Sequence, residues 1–194
     1  MYWGDSVKQF SLCHSIDSII GGYSKPWAIA GGWAIDLFIG TQTRAHEDIE
    51  IVTFRGDQQL LQTYLNDWTL IKVRNGKEEK WEPGENLGLP IHEIHAFNKV
   101  QKFEILLNES NKEYWIFRRD NRIKRPLEKI FKKTQGGIPY LSPEIALLYK
   151  SKNLRDKDNI DFKNSHELLD QEANEWLKNS LITLYGSHKW IENL

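Results

Sequence analysis

Two acidic residues, Asp48 and Glu50, lie two positions apart in a segment that alternates between apolar and polar residues. The period-two pattern over residues 48–53 predicts a β-strand, on which both carboxylates leave the same face with Cα atoms roughly 6–7 Å apart. Carboxylates at this spacing suit hard cations such as Mg²⁺, and chemistry at phosphorus uses two such ions roughly 4 Å apart. The same pair on a solvated strand face would have no chemical role, so the surrounding sequence has to decide between the two interpretations.

A glycine pair, Gly31-Gly32, precedes the acids and separates two apolar segments. Residues 26–30 predict a strand, and residues 33–39 predict a helix that ends at Gly40. Glycines at such a turn let backbone N–H groups approach a phosphate, and the N-terminus of the helix favours negative charge. Many strand-to-helix turns use glycine for geometry alone. The combination with the downstream acid pair favours a site for phosphate and metal ions.

The elements that must position these residues are both helical and extended. Helical periodicity is found in residues 7–20, 33–39, 58–65 and from Pro126 onward, where Ser142 and Pro143 are expected to cap and start a helix. Strand patterns are found in residues 26–30, 48–54, 68–73, 89–97, 103–107 and 114–117, with a turn at Asn75-Gly76 and a charged loop at 77–88. We predict an α+β fold, with a mixed or antiparallel sheet and flanking helices in residues 1–125 and a helical region in 126–194.

Three segments around the glycines and the acids resemble the signature of the polymerase-beta-like nucleotidyltransferase superfamily: Gly31-Gly32-Trp33, Gly-Thr-Gln-Thr-Arg at 40–44 and His-Glu-Asp-Ile-Glu-Ile at 46–51. In particular, they are similar to the aminoglycoside and lincosamide nucleotidyltransferases and their bacterial relatives. The likeness continues at residues 92–94, 117–120, 140–144 and 149–158. It implies that the turn at Gly31, Gly32 and Trp33 opens a triphosphate site, and that Asp48 and Glu50 hold the metal ions.

The resemblance also implies a third carboxylate from a neighbouring strand, and two residues compete for this place, Glu93 and Glu104. We favour Glu93, because Glu93-Ile94-His95 resembles the third-acid strand of several antibiotic nucleotidyltransferases. There the acid is a metal ligand or the general base on the acceptor hydroxyl. His92 and His95 are three residues apart, which on a strand places them on opposite faces and argues against a zinc site.

Three basic side chains are candidates for the triphosphate site. Arg44 lies just before the acidic strand, and Lys150 and Lys152 lie on the helix expected after Pro143. Arginine binds phosphate through two parallel hydrogen bonds and lysine binds it as a point charge. His46 shares the strand face of the acids and is a further candidate for phosphate or metal, with a loop histidine bonded to the backbone as the alternative. We assign Arg44 and Lys150 to nucleotide binding; a solvated surface role is the alternative for each.

The composition narrows the class of protein. The 194 residues include 26 Lys plus Arg against 27 Asp plus Glu, so bulk charge does not favour binding to a long nucleic acid. The single cysteine, Cys13, cannot form an internal disulfide or a thiolate zinc site. We found no secretion signal and no membrane-spanning run, and we expect a cytoplasmic protein, as a monomer or homodimer.

By this resemblance the protein is a nucleotidyltransferase with two Mg²⁺ ions as cofactors. It would transfer a nucleoside monophosphate from a nucleoside triphosphate, with ATP expected, to a hydroxyl of a small molecule and release pyrophosphate. The acceptor implied is an antibiotic of the aminoglycoside or lincosamide type. The alternative is a non-catalytic nucleotide-binding or protein-interaction module, such as one component of a toxin–antitoxin pair, which the intact acid pair disfavours.

Overall fold

The computed structural model describes residues 9–194 of the chain. The α-helices of this part are α1 Ser11–Ile20, α2 Gly31–Ile39, α3 Gln58–Tyr64, α4 Pro143–Lys150, α5 Asp156–Ser165 and α6 Gln171–Tyr185. The strands are β1 Trp27–Ile29, β2 Glu50–Phe54, β3 Thr69–Arg74, β4 Lys77–Lys80, β5 Glu93–Phe97, β6 Lys102–Ser110, β7 Tyr114–Ile116, β8 Lys124–Pro126, β9 Phe131–Lys133 and β10 Pro139–Leu141. The predicted α+β class is confirmed.

The strands form one mixed sheet in the order β4-β3-β5-β6-β2-β1-β10-β9. In addition, β7 pairs with β6, and β8 pairs with β7. Two neighbouring pairs, β2 with β6 and β1 with β10, are parallel. The remaining pairs are antiparallel, including β5 with β3 and β5 with β6. The turn between β3 and β4 falls at Asn75-Gly76, where both residues have positive φ, as expected for this hairpin dipeptide.

One face of the central strands is fully buried. Ile29, Ile51, Ile94 and Ile105 are paired in register across four strands and have no more than trace exposure. The helix α4 contacts α2, α5 and α6, and thereby attaches the C-terminal helices to the glycine turn. Removing apolar surface from water at these contacts is the main stabilising contribution, at roughly 25 cal/mol per Å².

One part of the secondary-structure prediction was wrong. Residues 131–141 were expected to be helical, but they form the hairpin of β9 and β10. The apolar residues Leu127, Ile130 and Phe131 have helix-like spacing, but pairing of β10 with β1 buries Tyr140 and Leu141 in the sheet. Long-range burial therefore outweighs the local pattern. The division of the chain at residue 125 stays a prediction.

Smaller differences concern element ends. The predicted charged loop over 77–88 contains β4, and the strand expected from residue 89 begins at Glu93. The first helix was expected from Val7; it is described from Ser11, and residues 7 and 8 lie outside the described range. Ser142 lies at the predicted N-cap of α4, but its hydroxyl donates to the carbonyl of Lys129 at 2.6 Å. In the described part of the chain, none of the helices is both long enough and apolar enough to cross a membrane.

Candidate active site

Four acidic side chains meet at one end of three neighbouring strands. Glu50 starts β2 and pairs in register with Glu104 on the parallel strand β6. Glu93 on β5 pairs with Leu106, two residues further along β6. Residues paired across strands share a face and each strand repeats that face every second residue, so Glu50, Glu104 and Glu93 lie on the same side of the sheet. With Asp48, just before β2, they form what we call the acidic cluster.

Two members of the acidic cluster, Glu50 and Glu104, have a raised pKa. Burial, followed by the negative charge of Glu104, raises the pKa of the Glu50 carboxyl to about 7, and Lys150 partly opposes this rise. The pKa of Glu104 is also raised, by burial and then by the charges of Asp48 and Glu93. Because like charges are held close together here, a cation bound among them would relieve the repulsion.

We expect the substitution Glu50→Gln to stabilise the protein above neutral pH when EDTA removes divalent cations. A carboxyl whose pKa rises from 4.5 to about 7 on folding stabilises the fold below pH 4.5 and loses this contribution as the pH rises through 7. The free energy of unfolding of the variant should exceed that of the wild type by about 2 kcal/mol at about pH 8, after allowance for the partial exposure of Glu50. Near pH 4.5 the two values should be equal. Urea unfolding of both proteins at the two pH values measures these free energies. The same difference between variant and wild type at both pH values would contradict the raised pKa of Glu50.

The glycine turn leaves room for the acidic cluster. Gly31 has φ +63°, and a Cβ atom there would overlap the carboxylate of Glu50. A Cβ atom on Gly32 would overlap the Arg44 guanidinium and lie 2.6 Å from the His46 ring. The turn is bonded to β2, because the N–H of Ala30 donates to the Glu50 carbonyl at 2.8 Å. Both positions therefore require glycine, because a charged side chain occupies the space that a Cβ atom would need.

The substitution Gly31→Ala should lower kcat/KM about 100-fold, because the new methyl group displaces the Glu50 carboxylate from the acidic cluster. Gly40→Ala is the matched control. Gly40 also has a positive φ, +86°, but nothing lies within 4 Å of its Cβ position. It should lose about 1 kcal/mol of stability and keep its activity. Equal activity losses in the two variants would show that backbone strain alone is responsible.

A buried carboxylate on α2, Asp36, holds the loop that carries Asp48. Asp36 accepts the backbone N–H and hydroxyl of Thr43 at 3.1 and 2.7 Å, and its second oxygen lies 2.5 Å from Nε2 of His46. The His46 ring packs against Trp33 with centroids 4.3 Å apart and ring planes tilted by 32°, and the indole N–H of Trp33 donates to the Asp48 carbonyl at 3.1 Å. His46 and Trp33 thus hold in place the loop that carries Asp48. The signal for Asp36 was an acid within an otherwise apolar helix, which the sequence analysis missed.

A second buried carboxylate, Asp161 of α5, brings Arg44 and Lys150 together. Arg44 donates to both oxygens of Asp161 at 2.7 and 2.8 Å and to the Ala45 carbonyl at 3.0 Å. Nζ of Lys150 lies 2.8 Å from Asp161 and 3.3 Å from Asp158. Every nitrogen of the Arg44 guanidinium thus has a protein partner, and the guanidinium lies close against Gly32 of the glycine turn. The sequence analysis did not single out Asp161, whose partner Arg44 is 117 residues away.

The acidic cluster separates two cavities of opposite charge. A cavity of about 250 Å³ has Gly31, Glu50 and Glu93 on one side, and its basic lining residues are Arg118, Arg119, Lys150 and Arg155. A cavity of about 600 Å³ reaches Asp48 from the other side; its further acidic lining residues are Glu47, Glu78 and Glu104, and Lys102 lines it as well. We call them the basic cavity and the acidic cavity. An anion fits the first and a cation the second.

Glu93 and Glu104 are bridged by His95. Nε2 of His95 lies 2.9 Å from Glu93 and 3.9 Å from Glu104, and Nδ1 lies 3.0 Å from Glu78. Burial opposes the charged imidazole, but the hydrogen bond to Glu93 and the charge of Glu104 raise the His95 pKa overall. One ligand atom from each of Glu93, His95 and Glu104 lies within 4.8 Å of the others. His92 is bonded instead to the Pro90 carbonyl at 2.9 Å.

Solved structures show the same fold at low sequence identity. The antibiotic-resistance factor ANT(2'')-Ia in solution has a TM-score of 0.62 and 16% identity, covering 93% of this chain and 95% of that one. Its complex with adenylyl-2''-tobramycin has a TM-score of 0.61 at 16% identity, covering 92% and 99%. The lincosamide antibiotic adenylyltransferase LnuA, bound to lincomycin, has a TM-score of 0.55 at 21% identity, covering 78% and 92%.

The sequence comparisons establish the family. No curated protein is significantly similar to the chain. The sequence model of the aminoglycoside-2''-adenylyltransferases matches residues 13–164, which is more than half of the chain and includes every predicted site residue. The predicted resemblance and enzyme class are confirmed: the chain belongs to the aminoglycoside-2''-adenylyltransferase family of nucleotidyltransferases.

Proposed function

We propose that the protein is a Mg²⁺-dependent enzyme of the cytoplasm that transfers a nucleoside monophosphate, in the first place AMP from ATP, to a hydroxyl of a small cationic molecule. Pyrophosphate is released. The acceptor is of the aminoglycoside or lincosamide type. The observation that carries this proposal is the acidic cluster between a basic cavity and an acidic cavity. The two substrates would thus approach the same carboxylates from opposite sides.

The acidic cluster fits magnesium ions. Its donors are carboxylate oxygens, which Mg²⁺ prefers, and the pKa values of Glu50 and Glu104 are raised by burial and by the charges of neighbouring acids. We assign Asp48, Glu50 and Glu93 as the residues that would hold two ions, with Glu104 as the alternative third acid. When bound, the ions would polarise the phosphates and stabilise charge on the attacking and leaving oxygens.

The basic cavity suits the triphosphate. Gly31 lets the backbone at the N-terminus of α2 approach a phosphate closely. Lys150 and Arg155 line this cavity, and Arg118 lines it without an ion-pair partner among residues 9–194. Burial lowers the pKa of Arg118, so an anion beside it would be favoured. These groups would neutralise the triphosphate and the pyrophosphate that leaves.

The acceptor hydroxyl would meet the acidic cluster from the acidic cavity. In the reaction its oxygen forms a bond to the α-phosphorus, and the bond from that phosphorus to pyrophosphate breaks. The hydroxyl proton goes to a carboxylate, for which we propose Glu93. His95 fixes the orientation of that carboxylate through the 2.9 Å hydrogen bond. The acids at 47 and 78 would attract amino groups of the acceptor.

The direct test is a transfer assay with tobramycin and lincomycin as acceptors and ATP, GTP, CTP and UTP as donors. We expect mass spectrometry to show addition of one nucleoside monophosphate to an acceptor, together with an equal amount of pyrophosphate, and EDTA to stop both. Calorimetry should show triphosphate binding that requires Mg²⁺. Absence of Mg²⁺-dependent binding for all four triphosphates would overturn the proposed function.

A further inference from the structure

The acidic cavity has two chemically different ends. At one end lie its acids, among them Asp48 and Glu104 of the acidic cluster. The opposite end is largely apolar and is formed by α1 and by the hairpin between β5 and β6, where Phe97 pairs with Lys102, two residues along β6 from Glu104. The apolar lining residues are Leu12, Ile16, Ile49, Ile71, Ala96, Phe97, Val100 and Phe103. A single ligand that fills the cavity would therefore contact both kinds of surface.

Several side chains at the apolar end are not needed for the core. Leu12, Phe97 and Val100 are 37%, 41% and 87% exposed, whereas Ile16 and Phe103 beneath them are buried. The side-chain amide of Gln101 donates to the hydroxyl of Ser15, which holds the β5–β6 hairpin against α1 and fixes this wall. Exposed apolar side chains in a concave surface are typical of small-molecule sites. We call Leu12, Phe97 and Val100 the apolar wall.

We propose that the acceptor is an amphiphilic cation, with its basic nitrogen near the reacting hydroxyl and an alkyl or similar apolar group at the far end. This inference rests on the proposed function and narrows its acceptor class. The amine would lie among the acids, and the apolar group would cover the apolar wall. A molecule that carries amines along its whole length would have to place some of them against the apolar wall and lose their hydration without a partner.

Binding of two cations to the wild type, in the absence of nucleotide, tests this inference. Lincomycin carries a basic amine on a ring with an alkyl chain, and tobramycin carries several amines and no alkyl chain. We expect calorimetry to give a lincomycin Kd at least about tenfold lower than that of tobramycin. The double variant Leu12→Ser with Phe97→Ser should weaken lincomycin binding about tenfold and leave tobramycin binding within about twofold.

The matched control is Leu60→Ser with Leu168→Ser, two exposed leucines outside this cavity, which are 51% and 55% exposed. It should leave both affinities unchanged. Equal or tighter binding of tobramycin by the wild type, no binding of either cation, or no effect of the apolar-wall substitutions would each overturn the inference. The proposed function fails separately, through loss of Mg²⁺-dependent triphosphate binding, which this measurement does not involve.

Discussion

Asp48→Asn is expected to lower turnover about 1000-fold while the fold stays intact. The substitution removes one negative charge that would hold a metal ion, and several kcal/mol of transition-state stabilisation depend on that ion. The fold should survive because the Asp48 side chain is exposed, and Trp33 binds its backbone carbonyl and not its carboxylate. Steady-state kinetics with ATP, together with thermal unfolding, measure both effects.

The control for this substitution is Asp67→Asn, an exposed aspartate outside the acidic cluster, which should keep wild-type turnover. Calorimetry adds a second readout. Asp48→Asn should bind ATP without the enhancement by Mg²⁺ that we expect in the wild type. An Asp48→Asn protein that turns over at a near wild-type rate would remove Asp48 from the metal assignment.

Glu93→Gln and Glu104→Gln together decide the third acid. We expect Glu93→Gln to lower kcat about 100-fold to 1000-fold, within the range typical of a lost general base, and also to weaken Mg²⁺-dependent binding of ATP, since Glu93 is proposed to hold an ion. Glu93 lines the basic cavity and is oriented by His95, whereas Glu104 lines the acidic cavity. Glu104→Gln should therefore act mainly on the acceptor, raising its KM by less than about tenfold.

The pH dependence of kcat separates these roles further. If Glu93 takes the proton, kcat of Glu93→Gln should stay low across the pH range, whereas Glu104→Gln should keep the wild-type kcat profile. The reverse result, with turnover lost only in Glu104→Gln, would assign the third place to Glu104. Both residues lie on the same face beside Glu50, so neither substitution should alter the sheet.

Local spacing was enough to predict part of the candidate site. The glycine turn and the two acids lie in one short segment of the chain, which contains one helix and the start of one strand. The structure places Gly31 directly against Glu50. The third acid was harder to choose. Both Glu93 and Glu104 reach the same face, and only the strand order β5-β6-β2 shows that each is close to the pair.

Long-range partners could not be predicted from the pattern. Asp161 lies 117 residues from Arg44. The sequence around Asp161 does not indicate which basic side chain this carboxylate binds. Similarly, β9 and β10 depend on a parallel pairing with β1 that closes a loop of about 110 residues. Local propensity carries no information on such contacts, because burial in the assembled sheet determines them.

The separation of the two cavities has a consequence for how this enzyme can change. The basic cavity is built from the glycine turn, residues 118 and 119, α4 and Arg155, whereas the apolar wall comes from α1 and the β5–β6 hairpin. No residue of the apolar wall lines the basic cavity. If the apolar wall binds the acceptor as we propose, mutations in the hairpin would change the acceptor while the basic cavity stays the same, so new substrates would need changes at only a few exposed positions.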